Sequence, residues 1–146
     1  MRLDDVIEML KAIPLFGSVD PEALRLLAFS GVRKQFRAGD ILFRRGERAD
    51  SGYLIVSGEV VLDPADDGSP SPYVFGPGTL IGQLAMFTPL ERPATAITRD
   101  PVVALVFSRD LMLKVLDAHP ESAAVLRDVL AGQVRGLSAK LRKVVG

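Results

Sequence analysis

The 146-residue chain has no cysteine, no tryptophan and a single histidine, His119. Without thiols there are no disulfides, thiolate zinc centres, iron–sulfur clusters or cysteine nucleophiles, and one imidazole leaves no histidine pair for a metal or a triad. Net charge is also missing: Lys plus Arg and Asp plus Glu number 18 each, so no long-range field draws the chain to nucleic acid or an anionic membrane. Any charge on a ligand has to be met locally. The N-terminus, MRLDDVIEMLKAIPLF, holds acidic residues within its first five positions and no long uncharged apolar run, which excludes a signal peptide and a membrane span. The expected compartment is the cytoplasm. No nucleophile and base pair, metal cluster or P-loop sequence is present, so neither an enzyme nor a cofactor is expected. Asp4 with Asp5 and Asp66 with Asp67 lack a third carboxylate, and no metal site is assigned to them.

What is present fits one compact domain, residues 1–146. In residues 1–31, Leu3, Val6, Ile7 and Leu10 form one helical stripe that Pro14 ends. A second short helix follows, with Asp20 as N-cap, Pro21 at its first position and Gly31 as its stop. From 32 to 107 the texture changes to short β-branched and aromatic runs between glycines and prolines: VRKQFRAGD, ILFRRGE, GYLIVSG, EVVLDP, SPYVFGPG, ATAIT and PVVALVFS. Turn signals spaced at about eight to twelve residues mark an antiparallel sandwich or barrel. The fold class is therefore mainly β with flanking α: an antiparallel, jelly-roll-like β-roll with short N-terminal helices and a long C-terminal helix. Residues 64–72, PADDGSPSP, read as an exposed hairpin loop without a function. Arg33, Lys34, Arg37, Arg44, Arg45 and Arg48 read as the solvated face of the roll.

Residues 108–146 return to helical texture, Ser108 capping RDLMLKVLDAH and Pro120 opening the last helix. Leu130, Val134, Leu137, Leu141 and Val144 follow a four-three spacing, the seam of a two-stranded coiled coil. Gly132 and Gly136 each cost a helix about 1 kcal/mol relative to alanine, so packing has to support it. A homodimer through this helix is the expectation, and docking on the chain's own roll is the alternative. His119, beside Pro120, reads as a structural or exposed junction residue.

The segment GQLAMFTPLERPATA, residues 82–96, is the most informative. GQLAMF suits one helical turn opening at Gly82, and Arg92 ten residues later can return over it to complete an anion cradle. Pro93, Ala94 and Thr95 are small enough for a ligand to approach the backbone, and Thr95 offers a hydroxyl. On spacing alone, a solvated Arg92 remains the alternative.

The segment resembles the phosphate-binding cassette of the cyclic nucleotide-binding domain family, whose motif runs approximately F-G-E-[LI]-[AS]-L, a spacer, then R-x-A-[ST]-V. IGQLAMFTPLERPATA matches at Gly82, Leu84, Ala85, Arg92, Ala94 and Thr95. IPLFGSVDPEALRLLA, FRAGDILFRRGE and YLIVSGEVVL resemble other family segments in the same order, so the resemblance covers nearly the whole chain. It implies a β-roll in which Arg92 pairs with a cyclic phosphate, aided by backbone N–H groups near Ala94 and by Thr95. Cyclic AMP or cyclic GMP is the implied ligand. Gln83 stands where the family has the glutamate that accepts from the ribose hydroxyl. Leu62, Phe75 and Ile81 fall where the family lines ribose and base, or else are ordinary core. Arg135, Ser138 and Lys140 are the candidates to reach the base from the last helix.

Three readings follow. The first is a regulatory module that binds cyclic nucleotide and repositions its C-terminal helix toward an effector protein. The second, motivated by Gln83, is a degenerate member acting as a dimeric protein-interaction module. The third is the sensor fragment of a catabolite-activator-type transcription regulator; with no residues after Gly146 for a recognition helix, DNA binding by this chain alone is not expected.

Overall fold

The structure, a computed structural model, describes residues 2–136. Helix α1 (Leu3–Lys11) buries Val6, Ile7 and Leu10, and a 3-10 turn at Pro14–Phe16 leads into α2 (Pro21–Ser30). The Asp20 carboxylate caps α2 by accepting from Glu22 N at 2.9 Å, with Pro21 at the first helical position, where its missing N–H has no cost.

Ten strands follow: β1 (Val32–Phe36), β2 (Ile41–Phe43), β3 (Arg48–Ala49), β4 (Ser51–Ser57), β5 (Val60–Asp63), β6 (Val74–Phe75), β7 (Leu80–Ile81), β8 (Leu90–Glu91), β9 (Thr95–Thr98) and β10 (Val102–Ser108). They form an antiparallel roll from two four-stranded sheets, ordered β1-β10-β4-β7 and β2-β9-β5-β6, with a two-stranded ribbon of β3 and β8. All seven runs read as strands in the sequence are strands here. β3, β7 and β8 span two residues each, too few for a period-two pattern to register. The six basic residues from Arg33 to Arg48 are all exposed.

Two cores share one sheet, because successive side chains on a strand point to opposite faces. On β4 and β10, Tyr53, Ile55, Val102, Ala104 and Val106 turn into the roll with Phe43, Val60, Leu62, Ile81 and Ala96. Leu54 and Phe107 turn the other way, onto Leu10, Leu15, Phe16, Leu24 and Leu27 of the helical layer. Helix α3 (Arg109–Ala118), capped by Ser108 Oγ at Leu111 N, adds Met112 and Val115 to that layer. Helix α4 (Pro120–Gly136) packs Leu126 there too, and Ser122 Oγ accepts from Asp20 N, tying α4 to the start of α2.

Of the coiled-coil seam, Leu130 is half-buried against the chain's own helical core. The Val134 side chain and residues Leu137, Leu141 and Val144 lie outside the described residues. Arg135, as a side chain, and Ser138 and Lys140 do so as well.

Leu54 is 0% exposed on the shared sheet, so Leu54→Ala is expected to lower the unfolding free energy by about 2–5 kcal/mol. Leu113→Ala, at a side chain 50% exposed, should change it by less than about 0.5 kcal/mol. Urea titration of both variants checks the contrast.

Candidate functional site

Arg92 sits between β8 and β9. Its backbone is fixed on both sides: the N–H donates to the Glu47 carbonyl, and its carbonyl accepts from Gly46 N, each at 2.8 Å. The side chain turns into the roll and is only 5% exposed. Its guanidinium carbon stands 4.1 Å from the centroid of the Phe43 ring and 5.7 Å from that of Tyr53, two rings tilted at 53° to each other. Nη2 donates to the Ser51 carbonyl at 2.9 Å, with the Ser51 hydroxyl at 3.4 Å. Nη1 is buried without a hydrogen-bond partner.

Among the described residues no carboxylate neutralises this cation at contact distance. Among the described residues the ion pairs are Lys11 with Glu8, Arg25 with Asp4 and Arg99 with Glu59, all at the surface. Burial pushes the Arg92 guanidinium below its ordinary pKa; the Tyr53 phenol, Asp50 and Glu47 act in the opposite sense. Burial likewise raises the Tyr53 phenol, and the positive charge of Arg92 opposes that rise. The pocket therefore disfavours charge yet contains a group that stays charged at any ordinary pH. An unpaired N–H of a buried cation is costly, and an anionic acceptor is the chemistry that suits it.

The 3-10 turn Gln83–Met86 is placed against this group by Gly82. Gly82 has φ of 74°, and a side chain there would overlap Arg92 Nη1. A left-handed backbone and close approach both require glycine. Gly52 performs a related service on β4: a Cβ there would meet Met86 Sδ at 2.6 Å, so the bare backbone lets the turn seat itself on the sheet.

The structure brings most of the expected site residues together. Gly82 lies against Arg92, Ala85 is fully buried within the turn, and Gln83 and Leu84 are half-buried beside it. Ala94, Leu62 and Ile81 belong to the roll's inner cluster, with Phe75 packed on it half-buried. Thr95 is placed differently from its neighbours. Ala94 and Ala96 flank it in the inner cluster, while its own hydroxyl donates to Asp66 Oδ1 at 2.6 Å and accepts from Arg45 N at 2.9 Å. The 64–72 loop is thus more than an exposed hairpin. Asp66, at φ of 54°, reaches back to the cassette, held by the Asp63 carboxylate, which accepts from the backbone of Asp66 and Gly68 at 3.1 Å each. Pro93, the residue after Arg92, has no backbone N–H to donate.

Phe43, Ser51 and Tyr53 were not legible as site residues, since ring-on-guanidinium contact and a backbone acceptor depend on tertiary placement. The one available signal is that Ser51 and Tyr53 lie on the same side of a strand.

With this geometry, the comparison with known proteins is decisive about family. The profile described as "Cyclic nucleotide-binding domain" matches residues 33–119. The chain belongs to the cyclic nucleotide-binding domain family. The CRP-like cAMP-activated global transcriptional regulator of Mycobacterium tuberculosis is 30% identical over 140 residues, 94% of this chain but 62% of the regulator. The chain thus spans less than two thirds of that relative. Among solved structures, the N-terminal domain of a transcriptional regulator from Streptomyces coelicolor superposes with a TM-score of 0.79 at 32% identity, covering 87% of this chain and 92% of that one. The regulatory domain of Toxoplasma gondii PKA, solved with cAMP, superposes with a TM-score of 0.71 at 26% identity, covering 82% and 46%. As a cyclic nucleotide-binding domain, the chain has the antiparallel roll, with the turn Gln83–Met86 and Arg92 lying within the matched residues.

Gly82→Ala is expected to lower the unfolding free energy by about 1–3 kcal/mol through positive φ and overlap with Nη1. In an Arg92→Ala background the overlap disappears, and the penalty should shrink by at least about 0.5 kcal/mol. Urea unfolding of the four proteins reads the coupling; equal penalties in both backgrounds would remove the close approach as its cause.

Proposed function

We propose that this domain is a regulatory module that binds cyclic AMP, or a closely related cyclic nucleotide, through Arg92, and passes binding on to α3 and α4. The observation that carries the reading is the buried Arg92 guanidinium, with Nη2 on Ser51, Nη1 unpartnered and no carboxylate in contact. A cyclic phosphate brings one negative charge and several acceptor oxygens, which match that guanidinium in charge and in kind. Leu62, Ile81 and Phe75 offer an apolar wall for ribose and base. The names of two relatives support the nucleotide: one is cAMP-activated, and one was solved with cAMP. The module acts as a binding domain rather than an enzyme, works in the cytoplasm as a homodimer through its last helix, and signals to an effector protein. Among the described residues no helix is long and apolar enough to cross a membrane.

Gln83 and Pro93 favour weaker binding than a glutamate-bearing cassette would give. An amide oxygen accepts from a ribose hydroxyl with about half the strength of a carboxylate, a difference on the order of 1 to 2 kcal/mol. A second reading, a member that retains the fold for protein interaction and no longer binds nucleotide, draws on Gln83. A third, the sensor part of a longer transcription regulator, draws on the partial coverage of the regulator.

Calorimetric titration with cyclic AMP and cyclic GMP, after ligand stripping by unfolding and refolding, tests the proposal. Saturable binding of one nucleotide per subunit is expected; Arg92→Ala abolishes it with the fold intact, and Gln83→Glu tightens it about tenfold. Absence of both heat and thermal shift at millimolar nucleotide would turn the assignment to the second reading.

A further inference from the structure

Arg109, the first residue of α3, binds carbonyls in two separate segments. Its Nε donates to Ala85 O at 3.1 Å, and its Nη2 donates to Thr88 O at 3.2 Å and Ala49 O at 2.7 Å. Its backbone N–H adds a fourth link, to Asp50 O at 2.7 Å. Ala85 and Thr88 belong to the cassette turn and its exit, whereas Ala49 and Asp50 close β3 and lead into β4. Ser51, the next residue, carries the carbonyl and hydroxyl that hold Arg92. The two arginines therefore grip the same short stretch, residues 49–51, one from the ligand site and the other from the helical layer.

The guanidinium is planar, and its donors are fixed relative to one another. If the cassette turn shifts against β3, Ala85 O and Thr88 O move relative to Ala49 O, and one rigid fork cannot follow both. The strain then falls on the backbone of α3, whose first residue is Arg109 itself and which packs on the turn, on α2 and on α4. No ion pair engages Arg109 among the described residues, although Arg48, Asp50 and Glu91 line the cleft beside it. Its side chain is thus committed to backbone carbonyls alone.

The geometry points to Arg109 as the positioning residue that holds the cassette turn and the start of α3 in one arrangement and transmits nucleotide binding between them. The inference rests on the nucleotide reading above for its ligand-driven half. The link itself exists without ligand.

Hydrogen exchange on the full chain, with Arg109→Ala and Arg109→Lys and with and without cyclic AMP, tests both halves. Without nucleotide, Arg109→Ala is expected to speed exchange about tenfold in residues 83–88 and 109–114 together, leaving α1 unchanged. With saturating nucleotide, the wild type changes protection in the cassette and in α3. Arg109→Ala then responds in the cassette alone, with affinity reduced no more than about tenfold. Arg109→Lys, whose single nitrogen cannot span both segments, is expected to leave the α3 response largely lost, and it serves in place of the alanine variant should that one not fold. An α3 response equal to wild type, or unchanged ligand-free exchange in either segment, would overturn the role. If wild type shows no response to cyclic AMP, the nucleotide reading fails, and the ligand-free comparison alone decides whether Arg109 is the link.

Discussion

A guanidinium held inside a small β-roll, with no carboxylate in contact among the described residues, is the constraint on which the neighbouring features depend. Stacking on Phe43 contributes about 0.5–2 kcal/mol, and the Ser51 carbonyl satisfies one nitrogen. The desolvation of a buried ion costs several kcal/mol, so these contacts leave the buried cation with a deficit. Gly82 at positive φ, the bare backbone of Gly52 beneath Met86, and the two backbone bonds that pin Arg92 all hold that deficit in place. An apolar side chain of similar volume there would carry no such desolvation cost.

The roll and the helical layer are not independent bodies. β4 and β10 carry alternate residues into each core, so Tyr53 beside Arg92 and Leu54 beneath the helices are consecutive residues of one strand. The cassette turn bridges the layers in the same way, with Ala85 bound to α3 through its carbonyl and Met86 buried in the helical core. Close-packed interiors have few continuous deformations available to them. The surroundings of Arg92 and the helical layer are therefore packed against the same strands and the same turn.

Much of this was legible from residue order. Asp20 and Pro21 announced α2, Pro120 announced α4, and the alternation in PVVALVFS announced β10, because caps and periodicity are local properties. The helical turn after Gly82 and the proximity of Arg92 to it were also readable, the first from glycine placement and the second from the ten-residue spacing together with the cassette resemblance. What sequence did not disclose depends on distant partners. Phe43 and Tyr53 are ten residues apart and look like ordinary strand aromatics until the roll closes on Arg92. Thr95 looked like a ligand donor, but strand alternation turns its hydroxyl to Asp66, in a loop whose composition suggested only solvent. Arg109 looked like a helix-start residue, and its acceptors lie 21 to 60 residues away in the chain.

The loop between β5 and β6 divides into two parts with different tolerance. The Asp63 carboxylate accepts from the backbone N–H groups of Asp66 and Gly68, and the Asp66 carboxylate anchors that turn to Thr95 on the neighbouring strand by accepting from its hydroxyl. Beyond Gly68 the chain is exposed until Ser71 turns back, its hydroxyl donating to the Leu62 carbonyl at 2.6 Å. Residues 69 and 70 are therefore a natural port for grafting an extra peptide or a reporter domain. One residue inserted before Asp66 would instead break the latch on Thr95 and loosen the cassette at its far end.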